Sequence, residues 1–263
     1  MRVLVTGAGG GIGQATCRKL ARDANAAGRR LSVAASDFHR AAGLDAIAEE
    51  LRAMGAEVVT MTGDLADLDE PRRQVDTALD ALGGLDAIVS NAGLTLPGKL
   101  VELAVADWDL MFDVNTRPTL LLAQAAYPAL KESRGSIVAT ASMSGMQPHS
   151  GMGGYGPSKA ALIMLVGVLA QELAADRIRV NAVSPGMVET PMTAAMYADP
   201  EIKRGREAVV PFGRVAQPED IANAIAFLIG PDASYCTGQN ILVDGGFTAS
   251  IMNHIPGRPR SAP

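Results

Sequence analysis

A tyrosine and a lysine, Tyr155 and Lys159, stand four residues apart in this chain. If both lie on one helix, positions i and i+4 share a face, so the lysine ammonium can sit beside the phenol. A free phenol titrates at about pH 10, and a nearby positive charge favours its ionised form. The spacing therefore predicts a side-chain pair that can act as a general acid and base.

Two further features accompany this pair, which taken alone would fit a tyrosine packed under a solvated lysine. Ser142 precedes Tyr155 by 13 residues and follows the apolar run Ser136–Thr140, so a hydroxyl stands at the end of a predicted strand. A glycine-rich segment also opens the chain. Because chance rarely supplies all three features in this order, together they favour a catalytic site. The alternative for Ser142 is a hydroxyl bonded to its own backbone.

The glycine-rich segment Thr6–Gly13 has the pattern Thr-Gly-x-x-x-Gly-x-Gly and stands between a predicted strand and a predicted helix. Gly7 permits a tight turn, Gly11 lets the backbone approach a pyrophosphate, and Gly13 allows the helix to lie close to the sheet. The amino end of that helix offers backbone N–H groups to phosphates. The segment predicts a dinucleotide-binding turn, and the alternative is a glycine-rich turn without a ligand.

Asp37 follows the second predicted strand, 24 residues after Gly13. An acidic side chain there can accept hydrogen bonds from a ribose diol and repel a 2′-phosphate, so we expect NAD as the cofactor in preference to NADP. The glycine-rich segment has no Lys or Arg to hold a phosphate. His39 and Arg40 keep NADP open, and a solvated or helix-capping aspartate is the structural alternative.

Short apolar runs alternate with longer helical patterns along the chain. We predict strands at 3–5, 31–35, 57–61, 87–90, 136–140, 179–183 and 240–243, and helices at 12–25, 41–54, 67–83, 105–131, 155–175 and 218–229. Such alternation implies parallel crossovers, and continuously apolar strands indicate a sheet covered on both faces. The predicted fold class is a doubly wound, Rossmann-type α/β domain with a parallel seven-stranded sheet.

We expect this single domain to span 1–247. A tail over 248–263 follows the domain. Its first half carries the apolar residues Ile251, Met252 and Ile255, which we expect to pack on the domain. Its end is rich in Pro and Arg, and we expect it to be disordered.

Composition limits the classes of partner. The chain has 263 residues, a formal charge of −5 and a pI near 5.3, which argues against nucleic acid and against an anionic membrane. The longest uninterrupted apolar run, Ala160–Ala170, is shorter than the ~20 residues that span a bilayer. The first strand begins at residue 2 and leaves no room for a signal peptide. Cys17 and Cys236 suggest neither a metal site nor a disulfide, so we expect a metal-free cytoplasmic protein.

The same run Ala160–Ala170, which follows Lys159, is apolar on every face of its helix. A helix without a polar side must be buried all round. One side can pack on the sheet, and the other then meets a partner subunit. We therefore expect an oligomer.

Together these residues resemble the short-chain dehydrogenase/reductase family, and the resemblance covers about residues 2–247. The matching motifs are Thr6–Gly13, Asp64-Leu65, Asn91-Ala92-Gly93, Asn115, Ser142, Tyr155-x-x-x-Lys159, Pro185–Thr190 and Val243–Gly246. The resemblance implies an NAD-dependent oxidoreductase that interconverts a secondary alcohol and its ketone by hydride transfer to or from nicotinamide. It also implies a substrate lid at about 187–215 and a homotetramer. Ser90 stands where the family often has Asn, and Ala141 where it often has Ser, but neither replacement removes a catalytic group.

The resemblance also assigns roles to single residues. Tyr155 would be the general acid and base, Ser142 would bind the substrate oxygen, and Lys159 would lower the phenol pKa and bind the nicotinamide ribose. Asn115 would hold a water that passes protons to bulk through the lysine.

The implied cofactor-binding residues lie in the glycine-rich segment, at the strand ends and in the lid. They are Thr6, Gly7, Gly11, Ile12, Gly13, Asp37, Asp64, Leu65, Asn91, Ala92, Gly93, Tyr155, Lys159, Pro185, Gly186, Val188 and Thr190. Within this set, Asp64 would contact the adenine amino group and Asn91–Gly93 would lie along the adenosine ribose. Thr190 and the backbone near Val188 would hold the nicotinamide carboxamide.

The substrate is the least determined element. Methionines adapt to irregular apolar ligands, so a methionine-rich lid favours an apolar alcohol or ketone. The lid residues behind this expectation are Met187, Met192, Met196 and Tyr197, while Lys203, Arg204 and Arg206 weaken it. His149, in the loop before the predicted catalytic helix, could touch the substrate or be solvated.

Other functional classes stay open. The first alternative is an NADP(H)-dependent carbonyl reductase of the 3-oxoacyl type. A cofactor-binding regulatory protein is disfavoured because the serine, tyrosine and lysine are all present. A lyase or epimerase is disfavoured because few residues follow Pro185, and a hydrolase because no Gly-x-Ser-x-Gly motif occurs.

Overall fold

A computed structural model describes residues 1–39, 42–191 and 193–255 of the chain. Its strands are β1 (Arg2–Thr6), β2 (Ser32–Asp37), β3 (Glu57–Thr62), β4 (Ala87–Ser90), β5 (Ser136–Thr140), β6 (Arg179–Pro185) and β7 (Asn240–Val243). They form one parallel sheet in the order β3-β2-β1-β4-β5-β6-β7. The predicted seven-stranded, Rossmann-type fold is confirmed. Because the strand order reverses between β1 and β4, a crevice opens at their carboxyl ends.

The helices cover both faces of this sheet. They are α1 (Gly11–Ala26), α2 (Ala42–Ala53), α3 (Glu70–Leu82), α4 (Val105–Asn115), α5 (Arg117–Ser133), α6 (Tyr155–Leu173), α7 (Ala194–Tyr197), α8 (Pro200–Val209) and α9 (Pro218–Ile229). Side chains alternate along β1, so Val3 and Val5 join the core under α1, α2 and α9, while Leu4 joins the core under α3, α5 and α6. Burial on both sides explains why the strands are continuously apolar.

Several element boundaries differ from the sequence prediction. The segment predicted as one helix over 105–131 is two helices, because the backbone leaves helical geometry at Thr116, with φ −124° and ψ −57°. Pro118 follows in the first turn of α5, where its missing N–H does least harm. Strand β2 extends to Asp37, so this aspartate ends the strand instead of following it. The lid holds two helices, α7 and α8, that the apolar pattern did not indicate.

The tail after the domain departs from its prediction. Ser250 is buried, but Ile251, Met252 and Ile255 are 73%, 46% and 47% exposed. The expectation that these three apolar side chains pack was therefore wrong for the single chain. They lie on and just after a short 3-10 turn, Ile251–His254. The predicted disordered end, 256–263, lies outside the described residues.

Helix α6 has a buried side and an exposed apolar side. Leu162, Val166 and Leu169 pack in the core, whereas Met164 is 69% exposed and Val168 is 45% exposed. The single chain therefore does not bury α6 all round, and an apolar stripe stays open to a partner. The segment Tyr155–Asp176 as a whole is long and apolar enough to cross a membrane, which the run Ala160–Ala170 alone did not indicate. A core helix of a soluble protein meets the same criteria, and the absence of a membrane partner stays a prediction.

If this apolar stripe meets a partner copy, Met164→Glu will weaken self-association, because the interface would have to bury an unpaired carboxylate. We expect light scattering at micromolar concentration to show a smaller assembly than for the wild type. Ala81→Glu, on the exposed side of α3, adds the same charge elsewhere and is the control. A wild-type monomer, or an unchanged mass for Met164→Glu, would contradict the role of the stripe.

Candidate active site

A cleft of about 580 Å³ opens at the carboxyl ends of the strands, where the switch in strand order predicts a crevice. Most of the predicted site residues line it. They are Gly7, Gly11, Ile12, Asp37, Asp64, Leu65, Asn91, Ala92, Gly93, Ser142, Tyr155, Lys159, Pro185, Gly186, Val188 and Thr190. The structure places Thr6, Gly13 and Asn115 behind the cleft wall instead, so these three support the site from beneath.

The glycine-rich turn presents an uncapped helix end to the cleft. Gly10 is the N-cap of α1 without a side-chain hydrogen bond, and the first turn carries no acidic residue. The backbone at Gly10, Gly11 and Ile12 lines the cleft, so its N–H groups suit a phosphate. A Cβ atom on Gly13 would lie 2.0 Å from the carbonyl oxygen of Gly7, so only glycine lets the helix approach the turn. This geometry fits a dinucleotide pyrophosphate.

Thr6 and Asn91 fasten this turn to the neighbouring strand. The Thr6 hydroxyl accepts hydrogen bonds from the backbone N–H groups of Asn91 and Ala92, at 3.0 and 3.1 Å. The Asn91 amide donates to the carbonyls of Thr6 and Gly7, both at 3.2 Å, and accepts from the Thr140 hydroxyl at 3.0 Å. Thr6 is fully buried. Thr6 therefore holds the ends of β1 and β4 together. This geometry does not favour the direct cofactor contact predicted for Thr6.

Ser142, Tyr155 and Lys159 meet at one end of the cleft. Lys159 is buried, and its Nζ donates to the Thr140 carbonyl at 2.8 Å and lies 5.9 Å from the centre of the Tyr155 ring. The Ser142 hydroxyl stands close enough to the Tyr155 phenol to favour its ionised form by hydrogen bonding. Sequence spacing placed the tyrosine and the lysine on one helix face, and the structure places both there with Ser142 opposite.

Desolvation dominates the electrostatics of this cluster. Burial lowers the pKa of Lys159 from 10.5 to about 8. Burial also raises the pKa of the Tyr155 phenol, and the hydrogen bond from Ser142 offsets only part of that rise. The phenol pKa in the folded chain is therefore raised, opposite to the direction expected from Lys159, because loss of water outweighs the hydrogen bonding that favours the ionised phenol.

Asn115 holds the helix break against the loop after β4. Its Oδ1 accepts from the Leu94 N–H at 2.9 Å, and its Nδ2 donates to the Leu94 carbonyl and the Ser158 hydroxyl, both at 3.0 Å. A Cβ atom on Gly93 would lie 3.0 Å from Asn115 Oδ1 and 3.3 Å from Lys159 Nζ. The side chain is thus engaged in bracing the lysine's surroundings, and its water-holding role stays a prediction.

Two aspartates stand at the opposite end of the cleft. Asp37 accepts from the Gly9 N–H at 2.9 Å and from the Phe38 N–H at 2.8 Å. Asp64 accepts from the Ala66 N–H at 2.9 Å. Both carboxylates retain acceptor capacity toward the cleft, which they line. Arg40, which kept NADP open in the sequence analysis, lies outside the described residues.

Among the described residues of the lid, those that line the cleft lie near its start. Thr193 accepts from the Thr190 N–H at 2.9 Å and donates to the Val188 carbonyl at 2.8 Å, and all three residues line the cleft. Met187, Met196 and Tyr197 do not line it, and Met192 lies outside the described residues. Tyr197 is buried within the lid, with the Arg206 guanidinium 5.5 Å from its ring centre. The methionine argument for an apolar substrate is therefore not supported.

The loop before α6 carries the histidine considered for substrate contact. His149 is exposed, and its Nδ1 lies 3.1 Å from the Ser144 hydroxyl, outside the cleft lining. Further residues line the cleft that were not among those predicted from the sequence. They are Gly10, Ser36, Phe38, Gly63, Leu94, Leu110, Val114, Thr140, Ala141, Pro191 and Thr193. Their positions in the sequence could have indicated them. Several stand at strand ends, and Leu110 and Val114 share a face of α4 at i, i+4 spacing.

A dinucleotide crevice that ends in a serine, a tyrosine and a buried lysine defines the class of nicotinamide-dependent oxidoreductases. Comparison with known proteins agrees. The family model described as enoyl-(acyl carrier protein) reductase matches residues 7–248. A 3-oxoacyl-[acyl-carrier-protein] reductase of Thermotoga maritima is 36% identical over 247 residues, which cover 92% of this chain and 96% of the relative.

A tropinone reductase homolog of Arabidopsis thaliana is 36% identical over 258 residues, covering 97% of this chain and 93% of the relative. Among solved structures, a putative NAD(P)-dependent gluconate 5-dehydrogenase from Beutenbergia cavernae, with bound NADP, superposes with a TM-score of 0.85 at 34% identity. That alignment covers 95% of this chain and 97% of the other. The chain belongs to the short-chain dehydrogenase/reductase family.

The buried amine predicts an unusual pH dependence of stability. The pKa of Lys159 is lower in the folded chain than in the unfolded chain, so the unfolded chain binds more protons between about pH 8 and pH 10.5. Stability conferred by this group therefore rises with pH across that window. At pH 7, Lys159→Met removes the cost of burying a charge, and we expect a free energy of unfolding higher by up to about 3 kcal/mol.

Denaturant unfolding at pH 7 and pH 10 measures this difference, which should shrink at the higher pH. Lys99→Met removes a lysine whose side chain is 75% exposed and should change neither value, so it is the control. A Lys159→Met protein less stable than the wild type at pH 7 would contradict the desolvated amine.

Proposed function

We propose that this protein is an NAD-dependent oxidoreductase that interconverts a secondary alcohol and its ketone, with Tyr155 as the general acid and base. The observation that carries the proposal is the meeting of Ser142, Tyr155 and Lys159 at one end of a cleft whose floor is an uncapped helix end. A cofactor-binding regulatory protein would not need a phenol, a hydroxyl and a desolvated amine at one point.

The residues present fit a bound dinucleotide. The N–H groups at the start of α1 would hold the pyrophosphate, and Asp37 would accept from the adenosine ribose diol. Lys159 would bind the nicotinamide ribose, while Val188 and Thr190 would hold the carboxamide. When bound, the cofactor supplies or accepts the hydride, and the protein contributes position, polarity and exclusion of water.

The proton passes through Tyr155. In the ligand-free chain burial raises the phenol pKa, which suits a proton donor in the direction of ketone reduction. In the direction of alcohol oxidation, the positive charge of an oxidised nicotinamide ring would add to that of Lys159 and favour the ionised phenol. Ser142 would donate to the substrate oxygen and stabilise the charge that develops there. Proton exchange with solvent by way of Lys159 and an Asn115-bound water completes the proposed scheme.

The charges that line the cleft support NAD over NADP. Among the cleft-lining residues that the structure describes, the charged side chains are Asp37, Asp64 and Lys159. The two carboxylates stand at the end where the adenosine ribose would lie, and the described lining offers no cation there for a 2′-phosphate. On this basis NAD is the proposed cofactor.

An NADP(H)-dependent carbonyl reductase of the 3-oxoacyl type is the second candidate. Two structural neighbours were solved with bound NADP, and several relatives are 3-oxoacyl-[acyl-carrier-protein] reductases. The position of Asp37 favours the first candidate over this one.

The proposed substrate is an uncharged alcohol or ketone with an apolar side. Leu94, Leu110 and Val114 contribute apolar walls to the cleft. Lys159 is the one cation among the described lining residues, and it is engaged with the Thr140 carbonyl, so the cleft offers little to a carboxylate or phosphate on the substrate. A homotetrameric state and a cytoplasmic location, without a metal ion, complete the proposal; the open stripe on α6 supports the first.

Tyr155→Phe tests the assigned proton donor. The change removes one hydroxyl and little packing, so turnover should fall by about a thousandfold or more while NAD affinity stays within about twofold. A panel of secondary alcohols and ketones, followed at the nicotinamide absorbance, measures turnover, and calorimetry measures NAD binding. Tyr235→Phe removes a phenol hydroxyl from a fully exposed position and is the matched control. Retained turnover in Tyr155→Phe would refute the assignment.

Asp37→Ala tests the cofactor preference. Loss of the carboxylate removes both the ribose acceptor and the repulsion of a 2′-phosphate, so the ratio of kcat/KM for NAD to that for NADP should fall at least about tenfold. Asp80→Ala, on the exposed side of α3, removes the same charge away from the cleft and should leave the ratio unchanged. A wild-type enzyme that is faster with NADPH than with NADH would favour the 3-oxoacyl-type alternative.

A further inference from the structure

Arg117 is a partly buried arginine that the proposed reaction does not use. It is the first residue of α5, two positions after Asn115, at the break between α4 and α5. Its side chain is 29% exposed and lies behind the cleft wall. An arginine so placed either pairs with surface charge or holds part of the backbone in position.

The contacts of Arg117 favour the second role. One terminal nitrogen, Nη1, pairs with Asp113 on α4 across the helix break. The other, Nη2, donates to the Ala66 carbonyl at 2.5 Å, 51 residues away in the loop after β3. The Nε is buried without a hydrogen-bond partner among the described residues. A buried N–H donor without a partner is unfavourable. Charge pairing alone therefore does not explain why an arginine stands at this position.

Ala66 is the residue through which Arg117 is linked to Asp64. Its N–H donates to the Asp64 carboxylate at 2.9 Å, and its carbonyl accepts from Arg117. Asp64 and the adjacent Leu65 both line the cleft. Hydrogen bonds to a charged donor are among the stronger ones in proteins, so Arg117 holds the peptide between Ala66 and Asp67 in place. Through the backbone of Ala66 it thereby restrains the preceding peptide, whose N–H orients the Asp64 carboxylate.

Asp64 and Leu65 stand at the end of the cleft away from Tyr155. A dinucleotide whose reactive ring lies beside Tyr155 must place its other base at that far end. We propose that Arg117 is a positioning residue for the adenylate half of the cofactor, acting through Ala66 on Asp64 and Leu65. The inference rests on the proposed cofactor orientation and deepens it.

The test separates the adenylate end from the catalytic end. In Arg117→Met the Ala66 carbonyl loses its donor, so the Kd for AMP, measured by calorimetry, should rise about five- to twentyfold. The KM for NAD should rise in parallel, while kcat at saturating NAD stays within about twofold because Ser142, Tyr155 and Lys159 are untouched. Arg117→Lys keeps a cation with a single donor point, and its AMP affinity should lie between those of wild type and Arg117→Met.

Arg72→Met is the matched control, since Arg72 is an exposed arginine on α3 paired only loosely with Asp76, at 3.7 Å. It should bind AMP like the wild type. An AMP affinity within twofold of wild type in Arg117→Met, or a fall in kcat with unchanged AMP affinity, would overturn the inference. If Arg117→Met fails to fold, Arg117→Lys decides, because an unchanged KM for NAD in that variant would also overturn it. A wild-type protein that binds neither AMP nor NAD would contradict the proposed function itself, and this inference with it.

Discussion

The candidate site depends on one interaction, the hydrogen bond from the buried amine of Lys159 to the Thr140 carbonyl at the end of β5. The amine is removed from water, and among the described contacts no carboxylate pairs with it. Such a group is unfavourable for stability and is tolerated where its readiness to give up a proton is useful. Its hydrogen bond ties helix α6, which also carries Tyr155, to the end of strand β5.

Small residues make this arrangement possible. A Cβ atom on Gly145 would lie 2.8 Å from the carbonyl carbon of Lys159, and one on Gly156 would lie 2.8 Å from the Ser144 carbonyl oxygen. The turn that carries Ser142 can therefore rest directly on α6, which brings its hydroxyl to the phenol. Gly93 plays the same part on the opposite side, beside Asn115 and the lysine amine. The site is thus built from close backbone approaches, and the polar side chains occupy the space that remains.

Much of the fold and of the candidate site could be predicted from the sequence, because the informative features were local. Strands β4, β5 and β7 and helix α9 have the predicted bounds, since apolar runs flanked by turn residues determine them. The shared helix face of the tyrosine and lysine followed from spacing alone. The break at Thr116, the bracing role of Thr6 and the exposure of the tail depend on contacts between distant segments, which a single sequence does not display. The direction of the phenol pKa was missed for the same reason, since desolvation is a property of the packed site.

Lys159 is a desolvated amine beside the Tyr155 phenol, and the titration of this amine is the most direct test of the site. The chain has five lysines, so ¹³C NMR of lysine-labelled protein can follow each Cε signal, with Lys159→Met supplying the assignment. In protein measured without added cofactor we expect one lysine that titrates with a pKa of about 8. A Lys159 signal that titrates at about pH 10.4, like a solvated lysine, would contradict it.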